Sequence, residues 1–269
     1  MPNLRKILIV LAAILISQFS IFNPQFSIAT TPLDKAQEDY TFQFTKYREE
    51  QSKYITARSS YMTFNTTVSK SDAFLATKNY LYQIDNLYLS YILLVNEHAN
   101  SLNWTNSTLS KELIEKIASE QTSYLKDHQE KVSRSSTLEE LPVLAAELKK
   151  YVDTDFIEKN NKTLAILEIA ETESALTDFN ELTGILDQAM ISKNQQAVNQ
   201  IFYDNWTSEI SDIRTKAEAY KEQAKAQLAK TKDETASGKD LASISNSSNQ
   251  AKKELQRSKA LFEEVIKIL

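Results

Sequence analysis

One spacing removes most folds from consideration. Leu33, Tyr40, Tyr47, Tyr54, Tyr61 and Val68 recur every seventh residue without a miss. Such a row stays on one side of an α-helix, whereas the faces of a β-strand alternate at every residue. Ala36, Ala57 and Phe64 stand three residues further on and widen the seam, and Gln43 and Glu50 interrupt it. The row predicts a long first helix wound against a partner helix. Thr31 offers a hydroxyl cap for it and Pro32 suits its first turn.

Composition points the same way. The 269 residues include two glycines and four prolines. Hairpin turns and phosphate-cradling loops both draw on glycine, so an all-β or a dinucleotide-binding fold starts without its turns. The chain has no cysteine, which removes disulfides, thiolate metal sites and a lipid-modified cysteine. The expected fold class is all-α, an elongated bundle of about six long, coiled-coil-like helices.

The second helix is predicted over Ser71 to Asn103, after a turn at Ser69 to Ser71, with Ser71 or Asp72 as its cap. Ala73, Thr77, Tyr80, Ile84, Leu87, Tyr91, Leu94 and His98 form one apolar stripe, flanked by Leu81, Tyr88 and Val95. The opposite side is polar except for Leu75, Tyr82, Leu89 and Leu93. A helix with two apolar stripes is usually sandwiched, so this one is expected to be central. The second stripe is expected to lie under another helix of the same chain. Failing that, it serves self-association or a protein partner through Leu75, Tyr82, Leu89 and Leu93.

Here a resemblance can be named. From Tyr40 through Leu94 the chain resembles uncharacterised exported helical proteins of small-genome, candidate-phylum bacteria. The Tyr47-Arg48 pair, the spacing of Tyr54 and Tyr61, and Ala76-Thr77 leading into Tyr80-Leu81 carry it. The resemblance implies an exported, coiled-coil-like body and brings no activity, cofactor or site residue with it.

A third helix is predicted from Thr108 to Val132, with Leu113, Ile117, Tyr124 and His128 on one face. Residues 133–136 form a loop, and Thr137 with Glu140 makes a capping box. Pro142 is tolerable near that start, although it can delay the helix by a turn. The fourth helix then runs unbroken to Gly184, with a kink expected near Thr154 or Asn160. Trp206, Ile210, Ile213, Ala217, Tyr220 and Ala224 mark the next helix. After a turn at Thr235 to Gly238, Leu241, Ile244, Ser248, Ala251, Leu255, Ser258, Phe262 and Val265 mark the last. Residues 32–133 and 137–269 read as two halves of one continuous helical body.

The first 29 residues read as an address. Arg5 and Lys6 precede the apolar run Ile7 to Ile16, and Ser27-Ile28-Ala29 offers a cleavage site. The duplication of Gln18-Phe19-Ser20-Ile21 as Gln25-Phe26-Ser27-Ile28 keeps the region after the core apolar, so an uncleaved membrane anchor is the alternative. Either reading places the body outside the cytoplasm, in the periplasm, on the cell surface or secreted. Removing these residues leaves 29 basic against 36 acidic side chains, a charge of −7. That balance argues against nucleic acid and against an anionic membrane surface as partners.

No pattern requires catalysis, and no catalytic, cofactor-binding or metal-binding residue is assigned. His98 and His128 are the only histidines. A carboxylate-bridged metal bundle would need Glu three residues before each, where Val95 and Leu125 stand. A Ser-His-Asp device lacks a glycine elbow. Both histidines therefore read as ordinary packed residues, and Asp85 as a solvated residue at the border of the polar side. Both tryptophans occur in Asn-Trp-Thr tripeptides near helix ends and read as plugs of the bundle. The function expected is structural or partner-binding at the cell envelope, without catalysis. The alternative is an extracytoplasmic ligand- or glycan-binding module, whose pocket would be walled by Tyr80, Tyr91, Trp104 or Trp206.

Overall fold

The computed structural model describes residues 31–104, 107, 109–192 and 200–268. The secretory or anchoring segment expected over residues 1–29 lies outside them. Residues Pro32–Leu269 form one compact unit. Among the described residues the fold is an all-α bundle of six long helices without strands. They are α1 (Pro32–Phe64), α2 (Thr67–Ser101), α3 (Lys111–Arg134), a long helix in two parts, α6 (Gln200–Leu228) and α7 (Gly238–Ile268). The long helix comprises α4 (Leu141–Tyr151), a π-helical turn (Val152–Phe156) and α5 (Ile157–Ser192). Its backbone stays right-handed helical at both joints.

Pro32 does open α1, but the first turn of the chain falls four residues before the expected one. Asn65 sits in the left-handed region at φ 46°, and its N–H bonds back to the Tyr61 carbonyl at 2.9 Å. Asn tolerates that conformation better than any other residue here, which lets it end α1. Thr66 then caps α2 in a reciprocal box with Ser69, worth about 1 kcal/mol. Farther on, the proline effect appears: Thr137–Glu140 make a turn, and α4 begins with Pro142 in its first turn.

Helix α2 packs against α1 on one side and α3 on the other, while α5 packs against α6 and α7. The tyrosine row is buried at Tyr40 and Tyr47, half-buried at Tyr54 and Tyr61, and fully open at Val68, which belongs to α2. Tyr80 of α2 lies against Tyr47 and stacks on Tyr54, at 5.6 and 5.0 Å between ring centres. The buried face of α3 is rotated from the expected one. It is Ile114, Ile117, Gln121, Leu125, His128 and Val132, with Leu113 and Tyr124 at its edge. Gln121 belongs to it because its amide donates to the Phe156 carbonyl at 3.4 Å.

The stretch buried on every side lies in the first half of α5 rather than in α2. Each residue from Asn160 to Ala170 is buried. That is possible because Asn160, Asn161 and Lys162 are bonded inward. Asn160 Nδ2 donates to the Phe156 carbonyl at 2.7 Å, beside Gln121, at the junction of the π turn and α5. Asn161 Nδ2 donates to the Ala236 carbonyl at 3.2 Å, and Lys162 Nζ reaches Thr231 Oγ1 at 2.7 Å and the Lys232 carbonyl at 2.9 Å. The α6–α7 loop is thereby strapped across the start of α5. Below it, Leu176, Phe179, Leu186 and Met190 of α5 meet Trp206, Ile210 and Ile213 of α6 and Leu255, Phe262 and Val265 of α7. None of the described helices is long and apolar enough to cross a membrane.

Candidate functional site

The outer face of α2 carries the expected second stripe, and the expected cover is missing from this chain. Leu75, Tyr82 and Leu93 are 52%, 42% and 45% exposed, and Leu89 is half-buried. Intrachain burial of the row is therefore overturned. The reason is where the neighbours stand: Gln83 on one flank bonds Gln43 of α1, and Gln129 of α3 bonds Asn86 on the other. Helices α1 and α3 grip the two sides of α2 and leave the face between them open. Lys78, on that border, turns away to the end of α3, donating to the carbonyls of Ser133 at 2.7 Å and Ser135 at 3.0 Å. The open face thus presents aliphatic and aromatic groups among Asn79, Asn86 and Asn100.

Beneath it lie two buried ionic centres, one at each histidine. Asp85 is not a solvated edge residue. It is fully buried, with Oδ2 at 2.7 Å from His128 Nδ1. The other nitrogen of His128 lies 3.1 Å from the Leu144 carbonyl oxygen, so α2, α3 and α4 meet at one imidazole. Burial pushes the Asp85 carboxyl up to about 6, with the bond to His128 opposing. Burial works against an imidazolium at His128, but the Asp85 carboxylate, the Leu144 carbonyl and Glu147 outweigh it, and its pKa rises.

The second centre joins α2, α5 and α7. His98 Nε2 lies 2.9 Å from Glu171 Oε1, and the other oxygen of Glu171 is held by Lys252. Lys252 also reaches Glu168 Oε2 at 3.4 Å, and Ser245 donates to Glu168 Oε1 at 3.3 Å. Burial would raise the Glu171 pKa, yet His98 and Lys252 hold it below the usual range. Lys252 is likewise disfavoured by burial but pushed up by Glu171 and Glu168. Both histidines are packed, as expected, although as members of ion pairs rather than on plain apolar faces. Glu168, Glu171 and Lys252 went unnoticed in the sequence; the one sign of them was charge set inside otherwise apolar helical stripes.

The rings that would wall a ligand pocket do not share one. Tyr91 is buried against Tyr40 and Phe156, and Tyr80 against the tyrosines of α1. Trp206 is buried among α5, α6 and α7, while the Trp104 indole closes the end of α2 by donating to the Ala99 carbonyl at 2.7 Å. A cavity between Ile92, Val95, Ile117, Gln121, Asn160 and Thr163 measures about 10 Å³, room for one water. Among the described residues no group of three histidines or acids is placed to hold a metal ion. The chain matches no protein-family model, no curated protein and no solved structure.

Proposed function

We propose that this is an exported, non-enzymatic helical-bundle protein with a structural or partner-binding role at the cell envelope, and that the outer face of α2 is its docking surface. The observation that carries the reading is the exposure of Leu75, Tyr82 and Leu93 in one row, on a face that also carries Asn79, Asn86, Glu97 and Asn100. Apolar rows of this kind favour association, since covering the exposed half of each side chain gains half of the roughly 1.5 to 3 kcal/mol of full burial. The reading of the compartment rests on Arg5, Lys6 and the apolar run Ile7 to Ile16, together with the likeness to exported coiled-coil-like proteins. With Tyr80, Tyr91 and Trp206 buried, nothing favours the ligand-binding alternative in particular.

The test compares the mature chain with a Leu75→Lys/Leu93→Lys variant. The variant should keep the wild-type melting temperature, because both positions face water. It should lose whatever association the wild type shows, either with itself in sedimentation or with envelope protein in a pull-down. A wild type that sediments as a monomer and recovers no more envelope protein than the variant would remove the docking surface.

A further inference from the structure

The Asp85–His128 pair places both ring nitrogens of His128 against oxygen. Nε2 lies 3.1 Å from the Leu144 carbonyl oxygen and Nδ1 lies 2.7 Å from Asp85 Oδ2. A carbonyl oxygen can only accept, so Nε2 must carry a proton. An ionised carboxylate can only accept too, so the short Nδ1–Oδ2 contact needs a second proton, on one atom or the other. With two protons both nitrogen contacts are hydrogen bonds. With one, a nitrogen lone pair faces oxygen whichever nitrogen keeps the proton, and either α2 or α4 loses its hold on α3.

We propose that Asp85 and His128 form a proton-held clasp joining α2, α3 and α4, which opens when its second proton leaves at alkaline pH. Full burial of Asp85 makes the opening costly to avoid, because water cannot replace the missing donor at the carboxylate. The titratable groups that interact with the pair are Tyr88 on α2, Tyr124 on α3 and Glu147 on α4; Tyr124 in turn feels Asp127 and Lys131, and Tyr88 feels Asp153 in the π turn. Glu147 favours the protonated pair directly. The clasp is separate from the docking face in being covered: Asp85 is fully buried, whereas Leu75, Tyr82 and Leu93 are open.

The test uses the mature chain and its Asp85→Asn variant, unfolded in urea at a series of pH values. An amide at position 85 can donate to Nδ1 while Nε2–H still donates to Leu144, so the variant satisfies every contact without a titrating proton. Above about pH 6.5 the wild-type unfolding constant should rise by up to tenfold per pH unit relative to the variant, the most that one linked proton allows. Equal pH slopes for the two proteins would overturn the clasp. Should the variant fail to fold, the wild type still decides the matter by NMR, because His98 and His128 are the only histidines to assign. A titration midpoint for the His128 ring above 6.5 supports the clasp, and one at or below 6.5 refutes it.

Discussion

His128 and His98 make the same kind of bond to a buried carboxylate and find opposite company. At the first centre Asp85 has an imidazole for its counter-ion, and among the described residues no lysine or arginine pairs with it. At the second, Lys252 lies against Glu171 and Glu168. A lysine stays charged across the ordinary range and keeps its carboxylates ionised. An imidazole titrates within that range, so it shares its proton with the acid and the pair holds protons together. Hence Asp85 is pushed up and Glu171 held down. Burial acts on both; at Glu171 the His98 bond together with the Lys252 cation outweighs it, and at Asp85 the His128 bond without a lysine does not.

The largest effect should come from removing that cation. Lys252→Met would take the lysine cation away from Glu168 and Glu171 in the core, leaving Glu171 on His98 and Glu168 on Ser245. Breaking a buried ion pair from one side costs about 3 to 5 kcal/mol, and urea unfolding at neutral pH should read a loss of that size. A loss under about 1 kcal/mol would mean that water reaches the glutamates and that the contrast between the centres is shallow. The corresponding cut at the first centre is smaller and depends on pH. His128→Leu should cost about 2 to 3 kcal/mol near pH 8, where Asp85 is left ionised and alone. Near pH 5 it should cost less, because Asp85, already raised to about 6, can take up a proton instead. A cost that does not change between the two would refute the account of Asp85.

Neither centre could be read from one sequence, whereas much of the bundle could. The stripes of α6 and α7 land on the buried side almost residue for residue, from Trp206 to Ala224 and from Leu241 to Val265. In those helices a 3-4 spacing of apolar side chains meets a single core, and periodicity is enough. Helix α2 shows where periodicity stops. Asp85 and Leu75 lie on the same polar-looking side, yet one is fully buried and the other half open. What separates them is the position of α3, which brings His128 to Asp85 from 43 residues away. The open stripe is the same lesson reversed, since spacing announces an apolar row and cannot say whether anything covers it. In α5 the burial of Asn161 and Lys162 depends on the α6–α7 loop, whose carbonyls arrive from some 70 residues downstream. At the α1–α2 turn the clues were local, an Asn able to take positive φ followed by Thr-x-x-Ser, and they sat just before the serines that looked more like a turn.

The smallest expected effect is the most discriminating, because it asks for a sign rather than a size. Glu171 has a folded pKa below its ordinary 4.5, so it contributes stability above that value and loses it as pH falls through the folded one. Asp85 and His128 are both raised, from 3.8 and 6.5, so their contribution is greatest in acid and is lost as pH rises through the folded values. Subtracting a variant curve from the wild-type curve cancels the titration of the other acids. The difference between wild type and Glu171→Gln should therefore shrink as pH falls from the ordinary 4.5 through the lower folded value, by roughly 1.4 kcal/mol for each unit by which the Glu171 pKa is lowered. The difference between wild type and Asp85→Asn should instead shrink as pH rises from the ordinary histidine value of 6.5 through the raised folded value of His128. Urea unfolding of the three proteins over both ranges gives both curves. If they run in the same direction, the fixed cation at Lys252 is not what sets the two histidines apart. Opposite slopes would leave a bundle whose second helix is held by one contact that fails in acid and another that fails in alkali.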